Sequence, residues 1–220
     1  MEKSFAADPL LFDYVAETFV PEDATLKDIR ARMQAAHLPA IQVGALDGLH
    51  LEVLARACGV RKAVEVGTLG GYSGVCLLRG MAADGVLHTF ELDPKHAEVA
   101  RETFRRAGFG DRAVVHVGPA REQLAGIEPH GPFDLVFIDA DKTGYPGYLT
   151  WAEQHLRVGG VVLGDNAFLW GSIVKPLPPP EDAEKVPAMR AFNERLARGG
   201  RFRATMLPTG EGLAMGVKVR

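Results

Sequence analysis

The feature that most constrains the fold is a regular alternation of short apolar runs and helical patterns that begins near residue 62. Strands are predicted over residues 63–66, 86–91, 113–117, 133–138 and 159–164. The helical patterns between them cover residues 72–82, 94–108 and about 146–156. Strands that alternate with helices form a parallel sheet with helices on both faces. The sequence therefore predicts an α/β fold built on a doubly wound, mostly parallel sheet.

The first 60 residues are predicted to form extra N-terminal helices. Asp8 and Pro9 suit the N-cap and first position of one helix. A second helix begins at the segment Pro21-Glu22-Asp23, and Asp47 is expected to cap a third. We therefore divide a single domain, residues 1–220, into a helical region over 1–60 and an α/β core over 61–220.

The C-terminal part breaks the alternation. Residues 167–186 are irregular and rich in proline, as in a functional lid or a disordered loop. A helix is predicted at about 187–198, followed by strands over 202–207 and 213–219. The turn between these two strands is so short that they must run antiparallel.

Composition excludes several classes of protein. A hydrophobic content of 47% with a net charge of only −3 argues against disorder. No apolar run approaches the ~20 residues that span a bilayer, and the first residues lack a signal-peptide core. No Lys/Arg block suits a nucleic-acid backbone. Two cysteines supply neither a disulfide framework nor a zinc set. We expect a cytoplasmic protein that binds neither membrane nor nucleic acid.

A glycine-rich turn follows the first predicted strand, in the segment Val64-Glu65-Val66-Gly67-Thr68-Leu69-Gly70-Gly71-Tyr72-Ser73. Open α/β sheets bind nucleotides at this position, but Leu69 stands where a dinucleotide fingerprint needs glycine. Glu65 would repel phosphate and attract an ammonium group. The pattern fits S-adenosylmethionine (SAM), a cationic nucleoside without phosphate, and a plain tight turn fits it equally well.

Two further strand ends complete a candidate nucleoside site. Glu91 lies 24 residues after Gly67, near the spacing at which an acid binds ribose hydroxyls. Asp93 is then the cap of the next helix, and the alternative is that Glu91 is merely solvated. Ala120, beyond the third strand, is placed to face adenine.

Oxygen-bearing side chains follow the fourth and fifth strands. Asp139, Asp165 and Asn166 are expected to meet at one edge of the sheet, where hard oxygen ligands suit Mg²⁺, Mn²⁺ or Ca²⁺. Helix caps and a turn are the structural alternatives. Lys142 is placed either to accept a substrate proton or only to balance the acids. Asp141 suits an ammonium group or a helix cap.

These motifs together resemble the cation-dependent, SAM-dependent O-methyltransferases, the family of the catechol and caffeoyl-CoA enzymes. The similarity extends from about residue 38 to the C-terminus and includes the glycine-rich turn, the segment Phe137-Ile138-Asp139-Ala140-Asp141-Lys142, the pair Asp165-Asn166 and the C-terminal hairpin. It implies the seven-stranded, Rossmann-like methyltransferase sheet with an antiparallel last strand. It also implies a homodimer joined through N-terminal helices, although the apolar faces over residues 9–33 equally suit packing on the sheet.

The resemblance also assigns roles to single residues. It implies that Asp139, Asp165 and Asn166 bind a divalent cation, Mg²⁺ first and Mn²⁺ or Ca²⁺ as alternatives, and that Lys142 acts as the base, with Asp139 beside it. Asn193 would lie on a helix that faces the substrate. The implied SAM contacts are Val43, Glu65, Gly67, Thr68, Ser73, Glu91, Ala120, Asp139 and Asp141.

The predicted reaction is methyl transfer from SAM to a hydroxyl of a catechol-like, vicinal dihydroxy aromatic small molecule. Phe168 and Trp170 either flank the aromatic ring of this phenolic substrate or pack within their own loop. The alternatives are a methyltransferase for a different hydroxylated metabolite, a non-catalytic SAM-binding protein and a nucleotide-dependent oxidoreductase. Leu69 in place of glycine counts against the last of these.

Overall fold

A computed structural model describes residues 9–19 and 22–220. Its strands form one seven-stranded sheet in the order β3-β2-β1-β4-β5-β7-β6, which confirms the predicted fold. The strands are β1 (Lys62–Val66), β2 (Val86–Glu91), β3 (Ala113–Val117), β4 (Phe133–Ile138), β5 (Leu156–Gly164), β6 (Phe202–Leu207) and β7 (Leu213–Lys218). The helices are α1 (Pro9–Phe19), α2 (Ala24–Ala35), α3 (Ala45–Ala57), α4 (Tyr72–Gly80), α5 (Pro94–Arg106), the short α6 (Ala120–Gln123), α7 (Tyr145–His155) and α8 (Lys185–Arg198).

The sheet is parallel from β3 through β5, and β7 runs antiparallel to both β5 and β6. The central strands β1 and β4 are almost entirely buried because helices cover both of their faces. One apolar core includes residues of α2, α3, α4 and α5, and the other includes residues of α7 and α8. Since the parallel strands all end at the same edge, the loops that follow them meet there.

The N-terminal helices divide their roles. Asp23 caps α2 by accepting a hydrogen bond from the Leu26 amide at 3.0 Å, and α2 buries Leu26, Ile29 and Met33 in the core. Helix α1 instead exposes Leu11, Tyr14 and Phe19 along with Leu10. Packing on the sheet therefore accounts for α2 and not for α1, and the homodimer stays a prediction. The proposed N-cap Asp8 and the residue Pro21 lie outside the described residues.

The prediction that Asp47 caps α3 is wrong. The extended backbone of Gly44 occupies the N-cap position, and Asp47 lies within the first turn of the helix. At that position the Asp47 carboxylate still accepts a hydrogen bond from the Gly44 amide. An acid at the third position of a helix accepts hydrogen bonds from the same exposed amides as a cap does. The sequence therefore located the start of α3 correctly but placed its N-cap three residues too late.

Other boundaries differ modestly from the prediction. Strand β5 begins at Leu156, three residues before the glycine pair that marked its start, and its pairing with β4 shifts register after Phe133. The proline-rich segment contains two short 3-10 turns, Leu169–Val174 and Pro180–Asp182. A 3-10 segment over Leu124–His130 was not predicted. Among the described helices, none is long and apolar enough to cross a membrane.

Candidate active site

One cavity of about 870 Å³ opens at the edge of the sheet where the parallel strands end. Its walls come from the loops after β1 to β5, the turn before α3 and the turn between β6 and β7. Nearly every predicted site residue lines it: Val43, Gly67, Thr68, Ser73, Glu91, Ala120, Asp139, Asp141, Lys142, Asp165 and Asn166. The structure thus brings together residues that lie up to 123 positions apart in the sequence.

Gly67 allows β1 and β4 to end side by side. It adopts φ +102°, and a Cβ added to it would lie only 1.9 Å from the carbonyl oxygen of Asp139. The amide of Asp139 in turn donates to the carbonyl of Val66 at 2.8 Å. Only glycine accommodates this contact and this backbone conformation together. The glycine therefore serves the close approach of two strand ends, which a plain tight turn would not require.

Glu65 is the one predicted cofactor contact that does not line the cavity. It is fully buried beneath the glycine-rich turn, where its two oxygens accept hydrogen bonds from Ser73 and Thr89, each at 2.6 Å. Burial raises the pKa of Glu65 to about 7. Ser73, which donates to Glu65, lines the cavity, whereas Glu65 itself does not, so a direct contact of Glu65 with SAM stays a prediction.

Glu91 and Asp93 have different hydrogen-bonding roles. Asp93 caps α5 by accepting from the Lys95 amide at 2.7 Å, as predicted. Glu91 accepts from the amides of Leu69 at 2.7 Å and Asp93 at 2.9 Å, and its side chain lines the cavity. Each carboxylate oxygen keeps a second lone pair. Ribose binding by Glu91 remains a prediction that this geometry permits. His96, which sequence reasoning missed, lies 3.5 Å from Glu91.

Asp141 sits between two side chains that were not predicted. The hydroxyl of Tyr148 donates to it at 2.6 Å, and Arg121 forms an ion pair with it at 2.8 Å. Asp141 and Arg121 are both half-exposed, so this ion pair is weak. Asp141 therefore stays accessible to a cationic group entering the cavity.

The residues predicted to bind a metal lie together in the cavity wall. Burial and the neighbouring Asp139 carboxylate raise the pKa of Asp165 to about 7. Asn166 is held at φ +52°, a conformation that is uncommon outside glycine and is best tolerated by asparagine and aspartate. Two carboxylates that repel each other beside an amide are a donor set that a divalent cation suits. Within the described part of the chain, no group of three or more His, Cys, Asp or Glu side chains is placed to hold a metal, so the set depends on Asn166.

Lys142 joins this group from the loop after β4. Its ammonium nitrogen donates to Asp139 at 2.9 Å and to the hydroxyl of Tyr145 at 2.8 Å, and only 9% of its side chain is exposed. Such burial separates it from the solvated lysines of the surface. The geometry suits both predicted roles, since the nitrogen balances Asp139 and the residue also lines the cavity.

The remaining wall is the candidate acceptor end. Trp170 lines the cavity with 58% of its surface exposed, whereas Phe168 packs over Gly212. Asp47 and Glu211 also line it, and burial raises the pKa of both carboxyls. Their elements do not follow a parallel strand, so the rule that located the other acids could not find them.

Asn193 is not part of the cavity wall. Its side-chain nitrogen donates to the carbonyl of Ala167 at 3.0 Å, which holds the loop after β5 against α8. In this structure Asn193 supports the segment that carries Asn166, and the placement of its helix opposite the substrate stays a prediction.

Comparisons with known proteins identify the family. A family model described as O-methyltransferase matches residues 16–219. A catechol O-methyltransferase of Mycobacterium tuberculosis is 44% identical over 179 residues, covering 81% of this chain and 80% of that protein. One of Niastella koreensis is 35% identical over 199 residues, covering 88% and 87%. The crystal structure of an O-methyltransferase from Bacillus cereus in complex with SAH superposes with a TM-score of 0.88 at 35% identity, covering 98% and 100%. The predicted resemblance is confirmed.

Proposed function

The chain belongs to the O-methyltransferase family and is a SAM-dependent enzyme of that family, and from this premise we propose that it methylates a catechol-like, vicinal dihydroxy aromatic small molecule with the help of a divalent cation. The observation that carries the proposal is the meeting of Asp139, Asp165 and Asn166 with Lys142 in the cavity that the glycine-rich turn also lines. Two acids and an amide beside a buried lysine suit the deprotonation of a hydroxyl.

A cation fits these residues on electrostatic grounds. Asp139 and Asp165 repel each other, and the one ammonium group bonded to Asp139 neutralises only part of their charge. Asp139, Asp165 and Asn166 would hold the ion, with Mg²⁺ the first choice for a hard oxygen set. When bound, a divalent cation would supply the positive charge that favours loss of a proton from a nearby acceptor hydroxyl.

The protein's own residues accept the proton and align the reacting atoms. For this step Lys142 must be the neutral amine, whose nitrogen accepts the proton of the acceptor hydroxyl and becomes the ammonium group. The acceptor oxygen attacks the methyl carbon of SAM, so that the new O–C bond forms as the S–C bond breaks, and the electron pair of that bond remains on sulfur. Holding oxygen, carbon and sulfur in line within the cavity supplies most of the remaining rate enhancement.

The acceptor end suits a flat ring with adjacent hydroxyls. Trp170 offers an aromatic wall, and the two hydroxyls of a catechol would face the oxygen ligands and Lys142. The set of paired acids, amide and buried lysine argues against a non-catalytic SAM-binding role. The relatives named catechol O-methyltransferase support the same acceptor class.

The test is transfer of labelled methyl from SAM to catechol, with phenol and resorcinol as matched acceptors that lack adjacent hydroxyls. We expect transfer to catechol with Mg²⁺ present and at least about tenfold less transfer to phenol and resorcinol. Only adjacent hydroxyl oxygens could both bind the cation that the protein's ligands hold. Equal transfer to all three would reject the vicinal acceptor. Tight SAM binding with no transfer to any hydroxylated aromatic would favour the non-catalytic alternative.

A further inference from the structure

We propose that Tyr145 is a positioning residue that aims the proton-accepting position of Lys142 into the cavity. The inference rests on the proposed function, in which Lys142 removes a proton from the acceptor. Tyr145 opens helix α7, and its ring is fully buried outside the cavity wall. No predicted role included it, although a tyrosine three residues after Lys142 lies within one helical turn of it.

One phenol oxygen joins three parts of the site. The hydroxyl of Tyr145 lies 3.0 Å from the carbonyl oxygen of Ile138 and 2.9 Å from that of Asp165. These carbonyls belong to the ends of β4 and β5, which carry the two paired acids. The nitrogen of Lys142 lies 2.8 Å from the same phenol oxygen.

The direction of each hydrogen bond follows from counting protons. A phenol has one proton, and carbonyl oxygens only accept, so the hydroxyl of Tyr145 shares that one proton between the carbonyls of Ile138 and Asp165. Its oxygen must therefore accept from Lys142. The carboxylate of Asp139 also accepts from Lys142, at 2.9 Å. Two of the three hydrogen-bonding positions on the lysine nitrogen are thus committed to protein acceptors.

Because Lys142 lines the cavity, we infer that the third position on the nitrogen faces a group bound there. In the neutral amine, the two N–H groups go to Asp139 and Tyr145, and the lone pair occupies the third position. After proton transfer, the third N–H occupies the same position, so no side chain has to turn during the step. Without the phenol, the amine keeps one fixed partner and is free to rotate its lone pair away from the acceptor.

The ring of Tyr145 is itself held firmly. The ring of Phe192 packs edge-on against it, with centroids 5.2 Å apart at 81°. Gly164 leaves the space for this contact, because a Cβ there would lie 2.7 Å from the Phe192 ring. The phenol oxygen is therefore a fixed point against which the lysine nitrogen is oriented.

The test compares acceptors of different acidity in Tyr145→Phe. A catechol needs a base, whereas 4-nitrocatechol loses its proton much more readily and depends less on Lys142. We expect kcat/KM for catechol to fall by about 100-fold, the lower end of a general-base contribution. For 4-nitrocatechol the fall should be at least about tenfold smaller, and the Kd for SAM should not change. Simple damage to the site would lower both acceptors by the same factor.

The matched control is Tyr148→Phe, one turn along α7, whose hydroxyl bonds to Asp141 and not to Lys142. Its loss should be equal for the two acceptors, while Lys142→Met should reproduce the acidity dependence of Tyr145→Phe. If Tyr145→Phe does not fold, Phe192→Leu replaces it, because this change keeps the phenol of Tyr145 and removes the ring that packs against it. We then expect kcat/KM to fall more for catechol than for 4-nitrocatechol, by a smaller factor than in Tyr145→Phe.

Equal losses for the two acceptors in the folded Tyr145→Phe, or in Phe192→Leu, would overturn the positioning role while leaving the proposed function intact. If the wild-type enzyme methylates neither catechol nor 4-nitrocatechol when Mg²⁺ is present, the proposed function itself is overturned. The two failures are therefore distinguished by the wild-type measurement.

Discussion

Among the glycines of the site, Gly67 leaves the least space for a side chain. Its positive φ and its contact with the Asp139 carbonyl are separate requirements, and both fall on one position. The first is a matter of backbone strain and the second of the spacing between two strand ends. Because Asp139 follows directly from β4, any displacement at Gly67 is passed to a predicted metal ligand.

We predict that Gly67→Ala lowers both stability and SAM affinity. Gly108→Ala is the matched control, since Gly108 also has a positive φ, +80°, but a Cβ there would meet nothing within 4 Å. The control should lose about 1 kcal/mol through backbone strain alone, and Gly67→Ala should lose at least about twice that. Urea unfolding and calorimetric SAM binding measure the two effects. Equal destabilisation by both changes would contradict the account.

For single residues, the sequence predicted which side chains line the same cavity but not which hydrogen-bond partners each one has. Asp139, Asp165 and Asn166 could be predicted because parallel strands end at one edge, a rule that needs only strand order. The position of Glu65 could not, since its orientation depends on where the hydroxyls of Ser73 and Thr89 lie. Lys142 and Ile138 lie within seven residues of Tyr145, but the third partner, Asp165, is 20 residues away and is brought near only by the pairing of β4 with β5.

Between elements, the loop after β5 is fastened to the turn between β6 and β7. The amides of Ala167 and Phe168 donate to the carbonyls of Gly212 and Glu211, each at 2.9 Å. The amide of Trp170 donates to the Glu211 carboxylate at 3.0 Å. The hairpin therefore fixes the segment that carries the aromatic wall of the acceptor end.

We predict that Gly212→Ala impairs acceptor binding more than SAM binding. A Cβ at Gly212 would lie 2.8 Å from the Phe168 ring, and φ is +74°, so the loop must shift. KM for catechol should rise about tenfold, the equivalent of roughly 1.4 kcal/mol, with little change in the SAM Kd. Gly210→Ala in the same turn meets nothing within 4 Å and is the control. An equal effect on catechol and SAM would argue against this assignment.

The elements themselves were largely predictable. All seven strands were predicted because buried parallel strands are continuous apolar runs and the last hairpin has a short turn. Ambiguity arose where tertiary contacts set the boundary: Gly44 replaces Asp47 as the cap of α3, and β5 extends back to Leu156 through its pairing with β4. The backbone of the segment at Trp170 depends on the hairpin, which is distant in sequence.

Across the whole molecule, a group of three histidines lies on the outer part of the sheet. The rings of His116 and His130 lie 5.4 and 5.0 Å from that of His88. Burial lowers the pKa of His88 to about 4, with further contributions from the two neighbouring imidazoles. Between about pH 6.5 and pH 4, His88 is therefore neutral in the folded protein but protonated in the unfolded chain.

We predict that this group makes the protein less stable in acid. Since the folded pKa of His88 lies below its unfolded value of about 6.5, stability is lost as pH falls from about 6.5 toward about 4. His88→Phe should remove on the order of 2 kcal/mol of this pH dependence. His37→Asn, an exposed position with positive φ, is the control. Unfolding free energies between pH 4 and 8 check it, and parallel curves for wild type and His88→Phe would contradict it.

The central claim is that three oxygen-bearing side chains from two loops hold one divalent cation that the reaction requires. Calorimetric titration of the metal-free protein with Mn²⁺ tests it most directly, paired with methyl transfer to catechol before and after chelation and Mg²⁺ restoration. The account predicts one site per chain, loss of that site in Asp165→Asn, and a fall in transfer of at least about 100-fold on chelation that added Mg²⁺ reverses. Full transfer in the presence of chelator, or Mn²⁺ binding unchanged by Asp165→Asn, would contradict it.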